Sequence, residues 1–474
     1  MSVQEKQHLA RSLKNRHIQM IALGGAIGTG LFYGSAASIQ LVGPGIIVSY
    51  LIGGAVMYLI MRMLGEMSTE EPVAGAFSHF AYKYWGQFPG FLAGWNYWFL
   101  YILVSMAELT VVGIYVAYWF PEFPAWATSL IVLLSITALN LVNVKFYGEL
   151  EFWLALIKVV AVIGMIILGL ALIFGVAGAA TGVGNLWVHG GFFPNGFGGL
   201  LLSLVVVMFS FGGTELIGIT AGEADDPRKS VPQAIKQVMW RILIFYVGAL
   251  TVMMIIFPWN QVGMEGSPFV TIFSKLGIGS AANILNFIVL SAAVSVYNSG
   301  IYSNGRMLYS LAEQGNAPKI FMKLGANRVP FVAILFSSIC TLVAVAVNYL
   351  IPQGAFMQVM SVATTAATIT WVMIVLVHRK FRMAHSDKTG ELCFKAPFYP
   401  YANYFCVAFM IMIVALMTQM DSMRNSVYVL PAWLIVIYVG FRIKTRSMRG
   451  KVKESALDNM NNNLPQESVV TRVD

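Results

Sequence analysis

The sequence predicts an all-α polytopic membrane protein with twelve transmembrane helices, and three observations carry that reading. Of 474 residues, 58% are hydrophobic and only 11% charged. A soluble domain carries about 25% charged residues, so most of this chain is built for lipid. Apolar runs of about 20 residues, the length that spans a bilayer at 1.5 Å per residue, recur twelve times. With the N-terminus inside, all but three of the 30 lysines and arginines then fall in cytoplasmic segments; Lys275 and Arg424 lie outside and Lys158 within a span. Such asymmetry is the positive-inside rule for an even number of spans with both ends cytoplasmic. The short alternating segments of a membrane β-barrel are lacking. The net charge of +9 therefore reports topology, not a nucleic-acid partner. Cys340, Cys393 and Cys406 have no metal-ligand spacing, and neither a metal nor a cofactor is expected.

Residues 1–17 form a polar, basic cytoplasmic N-terminus. The run behind them is long enough to span, so it is retained as a helix and not read as a signal peptide. The spans fall at 18–40, 44–64, 88–119, 125–142 and 152–174, then at 199–221, 240–260, 281–311, 330–350 and 355–377, and finally at 402–420 and 427–444. The third and eighth are long enough to tilt. Residues 66–90 are amphipathic and rich in Tyr, Trp and Phe, which suits the inner interface. Residues 181–199 form a Gly-rich outer loop without Lys or Arg. Beyond the last span, 445–474 is read as a cytoplasmic, disordered tail, polar and low in apolar residues.

Two glycine clusters stand at mid-span. They are Gly24-Gly25-Ala26-Ile27-Gly28-Thr29-Gly30 in the first span and Phe209-Ser210-Phe211-Gly212-Gly213-Thr214-Glu215 in the sixth. Glycine costs about 1 kcal/mol against alanine in a helix interior, so the clusters need a reason. Close helix packing through Gly24/Gly28 and Gly30/Gly34 is one. Placement favours another. Spans 1–5 (18–174) and 6–10 (199–377) make two five-helix blocks, and because five is odd the second block is inverted. Helices interrupted at matching positions of inverted repeats point to a midplane transport site, since unwound backbone must face a cavity. Free N–H groups at a half-helix N-terminus attract a carboxylate, and freed carbonyls suit an ammonium or a sodium ion. A site with both suits a zwitterion. The substrate-binding candidates are Ala26, Ile27, Gly28, Thr29 and Gly30 at the first break, and Phe209, Ser210, Phe211 and Gly213 at the second.

Three ionisable residues lie within spans, away from their ends: Glu108, Lys158 and Glu215. Each costs about 2.5–3.5 kcal/mol to insert, which makes each a functional candidate. Lys158, near the start of the fifth span, has two readings. It either snorkels to the inner surface or faces the bundle, where an ammonium can exchange a proton and occupy the place of a coupling sodium ion. Glu215, beside the second break, fixes the unwound backbone or takes a proton; Lys158 and Glu215 are the proton-coupling candidates. Glu108 faces either the cavity or a partner such as Asn140. The eighth span is too polar for a lipid-facing stripe, and Glu108, Ser295 and Asn298 are candidate pocket residues. Glu223, Asp225, Asp226, Arg228 and Lys229 are read as gate salt bridges or a solvated loop. His17, His79, His189 and His378 lie in loops or near span ends and are given no catalytic role.

The same residues carry a resemblance. RHIQMIALGGAIGTGLF (16–32), LGEMSTEEPVAGAFSHFAYKYWG (64–86), GWNYW (94–98), FSFGGTELIGITAGEADDPRKSVPQA (209–234) and SVYNSGIYSNGRML (295–308) resemble the amino acid permeases of the amino acid–polyamine–organocation superfamily, in their bacterial branch. The similarity runs from residue 16 to about 320 and weakens beyond. It implies twelve helices, a five-plus-five inverted repeat and proton-coupled amino acid import through the bacterial inner membrane. It also implies the substrate carboxylate on the backbone of Gly28, Thr29 and Gly30, and the amino group near the carbonyls of Phe209 and Ser210. Lys158 stands where related transporters carry a proton-responsive lysine. GWNYW, MAELT (106–110), SVYNSG and QGNAPK (314–319) resemble permeases for phenylalanine and other aromatic amino acids. LFYGSA (31–36), ITAGEA (219–224) and PWNQVG (258–263) resemble proline- and histidine-type members. The expected substrate is an aromatic amino acid (phenylalanine, tyrosine or tryptophan), with a proline- or histidine-type permease as the alternative.

Other classes fare worse. A membrane enzyme would need a paired nucleophile and base or a metal cluster at depth, and the spans hold neither. There is no G-x-x-x-x-G-K-[ST] loop for ATP-driven transport. A sodium-coupled carrier would have to accommodate Lys158 where sodium sits. A nutrient sensor on a transporter scaffold, the remaining alternative, would ordinarily carry a long cytoplasmic domain. The expected partners are the amino acid, protons and the lipid bilayer.

Overall fold

In the computed structural model the apolar runs are helices, interrupted where glycine, proline or polar residues intervene. The structure describes residues 16–17, 20, 27–73, 75–142, 144–176, 182–224, 226–263, 267–275, 277, 279–325, 327–350, 355–387 and 392–462. Gly24, Gly25, Ala26 and Asp225 lie outside the described residues, as does the side chain of Glu223. The first span contributes α1 (Thr29–Phe32) and α2 (Ser35–Val42), and Gly43-Pro44-Gly45 turns the chain into α3 (Ile46–Glu70). Next come a short helix α4 (Ala76–Tyr84), then α5 (Gln87–Ala117), α6 (Ala125–Val142) and α7 (Val144–Ile173). The sixth span is split into α8 (Gly196–Phe209) and α9 (Leu216–Thr220). The seventh runs from α10 (Pro227–Arg241) through a π-helical stretch, Ile242–Gly248, into α11 (Ala249–Ile256). After α12 (Pro268–Lys275) follow α13 (Gly279–Glu313), α14 (Phe331–Leu350), α15 (Ala355–Ala384), α16 (Tyr401–Met417) and α17 (Asp421–Asn462).

Among the described residues, eight helical stretches are long and apolar enough to cross a membrane. Three shorter apolar helices, Gly196–Phe209, Phe331–Val347 and Tyr401–Met417, accompany them. Of the boundaries that differ from the sequence reading, three matter most. The fifth span starts at Val144 instead of 152, which puts Lys158 half-way along its helix. The seventh starts at Pro227 instead of 240, because Asp226 accepts from the Lys229 N–H at 3.3 Å and proline occupies the first turn. An acidic N-cap followed by proline is a strong helix start. The last helix runs on to Asn462, through residues read as disordered; Lys, Glu, Ala and Met between 451 and 460 favour helix.

The chain forms two units, Met1–Leu430 and Pro431–Asp474. In the second, Ile435, Val436, Tyr438, Val439 and Ile443 are exposed along the helix. In the first, α5 is the central element and packs against α13, α15, α14 and α4. This explains the polarity of α13. Ser295, Asn298, Ser299, Ser303 and Asn304 are all buried, because they face the bundle interior, where polar groups find partners. By contrast α7 exposes Trp153, Val160 and Ile167, an apolar surface suited to lipid.

Candidate functional site

At the first break, Gly28 is extended (φ −129°, ψ −157°) and α1 begins at Thr29. Its carbonyl accepts the N–H groups of Leu31 and Phe32, both at 3.2 Å. The second break lies between Phe209 and Leu216, where residues 210–215 form turns closed by i→i+3 bonds such as Gly212 N–H to Phe209 O at 3.0 Å. Gly213 takes φ +93° there, a conformation a side chain resists. The two breaks touch. A β-carbon on Gly30 would lie 2.6 Å from the Cα of Ser210, and one on Gly28 would lie 2.7 Å from a Val296 methyl.

Between them Gly28, Gly30, Glu108, Phe209, Ser210 and Val296 enclose a cavity of about 20 Å³. That is room for roughly one water, so the centre is closed. Any occupant larger than a water requires the walls to part. Phe209 is the aromatic part of the wall; its ring meets Phe356 edge-on at 6.1 Å.

The candidates divide into groups. Ile27 is fully buried at the break. The Thr29 hydroxyl donates to Glu108 Oε1 at 2.8 Å, so Glu108 faces the first break and Asn140 is not its partner. Asn140 instead donates to Asn298 Oδ1 at 2.7 Å. Lys158 is fully buried and faces the bundle: its ammonium donates to Ser295 Oγ at 2.8 Å. Snorkelling is thereby set aside. Ser295 passes a hydrogen bond to Glu151 Oε1, and Asn298 donates to Glu151 Oε2 at 3.3 Å. A continuous polar chain therefore runs Lys158–Ser295–Glu151–Asn298–Asn140.

Glu215 belongs to a different group. It accepts from the Gly213 N–H at 3.3 Å, the Tyr101 hydroxyl at 3.4 Å and the Trp371 indole N–H at 3.5 Å, and so ties the second break to α5 and α15. Phe211 and Gly213 stand behind the cavity wall. Phe211 packs on Tyr50 and Tyr246 with centroids 5.8 and 5.3 Å apart. Those two phenols hold Ser210 itself: the Tyr50 hydroxyl lies 2.9 Å from Ser210 Oγ, and Tyr246 donates to the Ser210 carbonyl at 3.0 Å.

Sequence reasoning missed Glu151, Tyr50, Tyr246 and Val296. For Glu151 a signal existed, since it stands seven positions before Lys158 on one helix face. Arg241 and Arg306, counted among the cytoplasmic charges, are buried; Arg306 lies 3.7 Å from the Tyr302 ring centroid. His378 is buried too. With Arg382 and the Ala396 N–H it surrounds the Glu66 carboxylate, Arg382 Nη2 at 2.9 Å and His378 Nε2 at 3.2 Å. Just beyond α3, burial pushes the Glu71 carboxyl up, but bonds from Lys83 and Tyr84 outweigh it and hold the group below its ordinary value. Among the described residues no cluster could hold a metal ion.

A family model described as amino acid permease matches residues 17–454. The chain is 52% identical over 447 residues to the aromatic amino acid transport protein AroP of Escherichia coli (strain K12), a match covering 94% of this chain and 98% of that protein. It is 52% identical over 449 residues to AroP of Salmonella typhimurium (strain LT2), with the same coverage. To the uncharacterized amino acid permease YtnA of Bacillus subtilis (strain 168) it is 50% identical over 437 residues, covering 91% of this chain and 94% of the relative.

Proposed function

The chain belongs to the amino acid permease family, and from that premise we propose that it imports an aromatic amino acid by proton-coupled alternating access through a bacterial inner membrane. It is a multi-pass membrane transporter, not an enzyme. The aromatic assignment is supported by relatives named for aromatic amino acid transport and by Phe209 beside the breaks. The observation that carries the mechanism is the convergence of two broken spans with a buried lysine on α7 nearby.

In this reading Gly28, Thr29 and Gly30 present backbone N–H groups to the α-carboxylate, as a half-helix N-terminus does. Carbonyls at Phe209 and Ser210 receive the amino group. Tyr246 takes one lone pair of the Ser210 carbonyl, and a carbonyl has two. The substrate ring displaces Phe209 to enter a centre that is otherwise closed. Lys158 gains and loses the coupled proton, with Ser295, Glu151 and Asn298 as its relay and Glu215 holding the second break. The architecture proposed around the site has twelve spans, inverted repeats over 18–174 and 199–377, two further helices over 402–444, and cytoplasmic termini.

Proteoliposomes with an inward proton gradient and no sodium should accumulate labelled phenylalanine, with tyrosine and tryptophan as the strongest competitors among the twenty amino acids. Strict sodium dependence would remove the proton reading. Competition by proline or histidine alone would move the substrate while leaving the family intact.

A further inference from the structure

Away from the breaks, on the outer wall of the first unit, lies a groove of about 420 Å³. Leu51, Tyr58, Met239, Leu243 and Phe398 are among its walls, which are almost wholly apolar. Its size falls in the range of small-molecule sites, roughly 300–1,000 Å³. It runs between α3 and the junction of α10 with the π-helical stretch, and the segment around Pro397 closes one end.

The register of α3 against α10 fixes what stands at that end. A β-carbon on Gly54 would meet Ile242 at 2.5 Å, and one on Gly65 would meet Ile235 at 2.0 Å. The helices are thus antiparallel, and Arg62 stands level with Lys236. Helical spacing agrees: Leu51, Ala55, Tyr58 and Arg62 share one face, and Lys236, Met239 and Leu243 share another. Arg62 donates to the main-chain carbonyl of Lys395 and lies 4.0 Å from the Phe394 ring centroid. That contact brings Lys395 to the same end, on the segment that lends Phe398 to the groove. Lys236 and Lys395 are exposed. At the same level Glu66 is held by His378 and Arg382, and Glu70 accepts the Cys393 N–H at 3.1 Å.

An apolar groove with three cations at one end has the charge pattern of an anionic amphiphile. We propose that it binds an anionic phospholipid, with an acyl chain between α3 and α10 and the phosphate against Arg62, Lys236 and Lys395. The seat bears on the transport site. Ile242 lines the groove and opens the π-helical stretch, four residues before Tyr246, whose hydroxyl holds the Ser210 carbonyl at the second break.

Native mass spectrometry of the full chain, given phosphatidylglycerol or phosphatidylethanolamine with identical acyl chains, tests the proposal. Phosphatidylglycerol should be retained preferentially. Lys236→Ala and Lys395→Ala should each reduce that retention about fivefold, the effect of one basic residue near an anionic surface, and leave phosphatidylethanolamine unchanged. Ala55→Trp, which fills the groove from an exposed position, should lose both lipids; Leu51→Trp serves if that variant fails to fold. Equal retention of the two lipids by the parent chain overturns the proposal. So does indifference to the lysine substitutions or to the tryptophans. A lipid-free dimer that Ala55→Trp disrupts would assign the groove to a second copy of the chain, and would equally overturn it.

Discussion

The two broken spans solve the same problem by opposite means. The first break is made of absent side chains: Gly28 and Gly30 allow α1 to come within contact of Val296 and of the Ser210 backbone. The second is made of present ones. Tyr50 and Tyr246 hold Ser210, while Tyr101, Trp371 and the Gly213 N–H hold Glu215. Where the first break's close approach is to backbone, as at Gly30, added volume has nowhere to go. A break defined by several hydrogen bonds loses them singly, each worth about 0.5–1.5 kcal/mol net. At Gly30 the first break should therefore fail outright on substitution, whereas the second should weaken by degrees.

The largest effect should come from Gly30→Val. Its β-carbon would meet backbone, which cannot step aside as a side-chain tip can, so uptake of every amino acid should vanish in vesicles containing normally inserted protein. Full activity would mean that the breaks do not need to touch. Next is Lys158→Met, which removes the ammonium from the Lys158–Ser295–Glu151 chain. Accumulation driven by a proton gradient should cease while substrate exchange across the membrane persists; accumulation equal to the parent would take Lys158 out of coupling. Phe209→Ala should be smaller, weakening aromatic substrates by about 1–3 kcal/mol, the usual worth of one apolar contact in a pocket. Unchanged preference would remove Phe209 from the substrate. Smallest is Tyr246→Phe, which deletes one bond to the Ser210 carbonyl. It should raise the KM for uptake about fivefold, as a net loss near 1 kcal/mol implies; a complete loss of uptake would mean that the second break has no redundancy.

Much of this contrast was legible before the structure. The breaks show as glycine at mid-span, and the spans show as apolar length and charge asymmetry. Lys158 was legible as a charge in lipid, but its direction was not. A helix starting at 152 leaves a lysine within reach of the inner surface, and only the start at Val144 puts it mid-helix. The same eight residues hid Glu151, which the sequence reading left outside any span. Glu108 was identified as a buried acid, yet its partner depended on which of two neighbouring helices it faced; helical periodicity is silent on that, and Thr29 won over Asn140. The phenols Tyr50 and Tyr246 resemble any interior aromatic. Their roles come from tertiary placement, and for Tyr246 from a π-helical stretch that no spacing rule announces.

In the proposed mechanism the first break recognises what all amino acids share and the second reads what distinguishes them. The most direct test is the competition profile of labelled phenylalanine uptake by Gly28→Ala and Phe209→Ala, measured against the full set of amino acids. Gly28→Ala meets the Val296 methyl and the Glu108 carboxylate, not backbone, and should retain measurable transport. Gly28→Ala should weaken all competitors by a common factor and preserve their order, whereas Phe209→Ala should reorder them and demote the aromatic ones. A reordered profile for Gly28→Ala, together with a uniformly scaled one for Phe209→Ala, would contradict this mechanism.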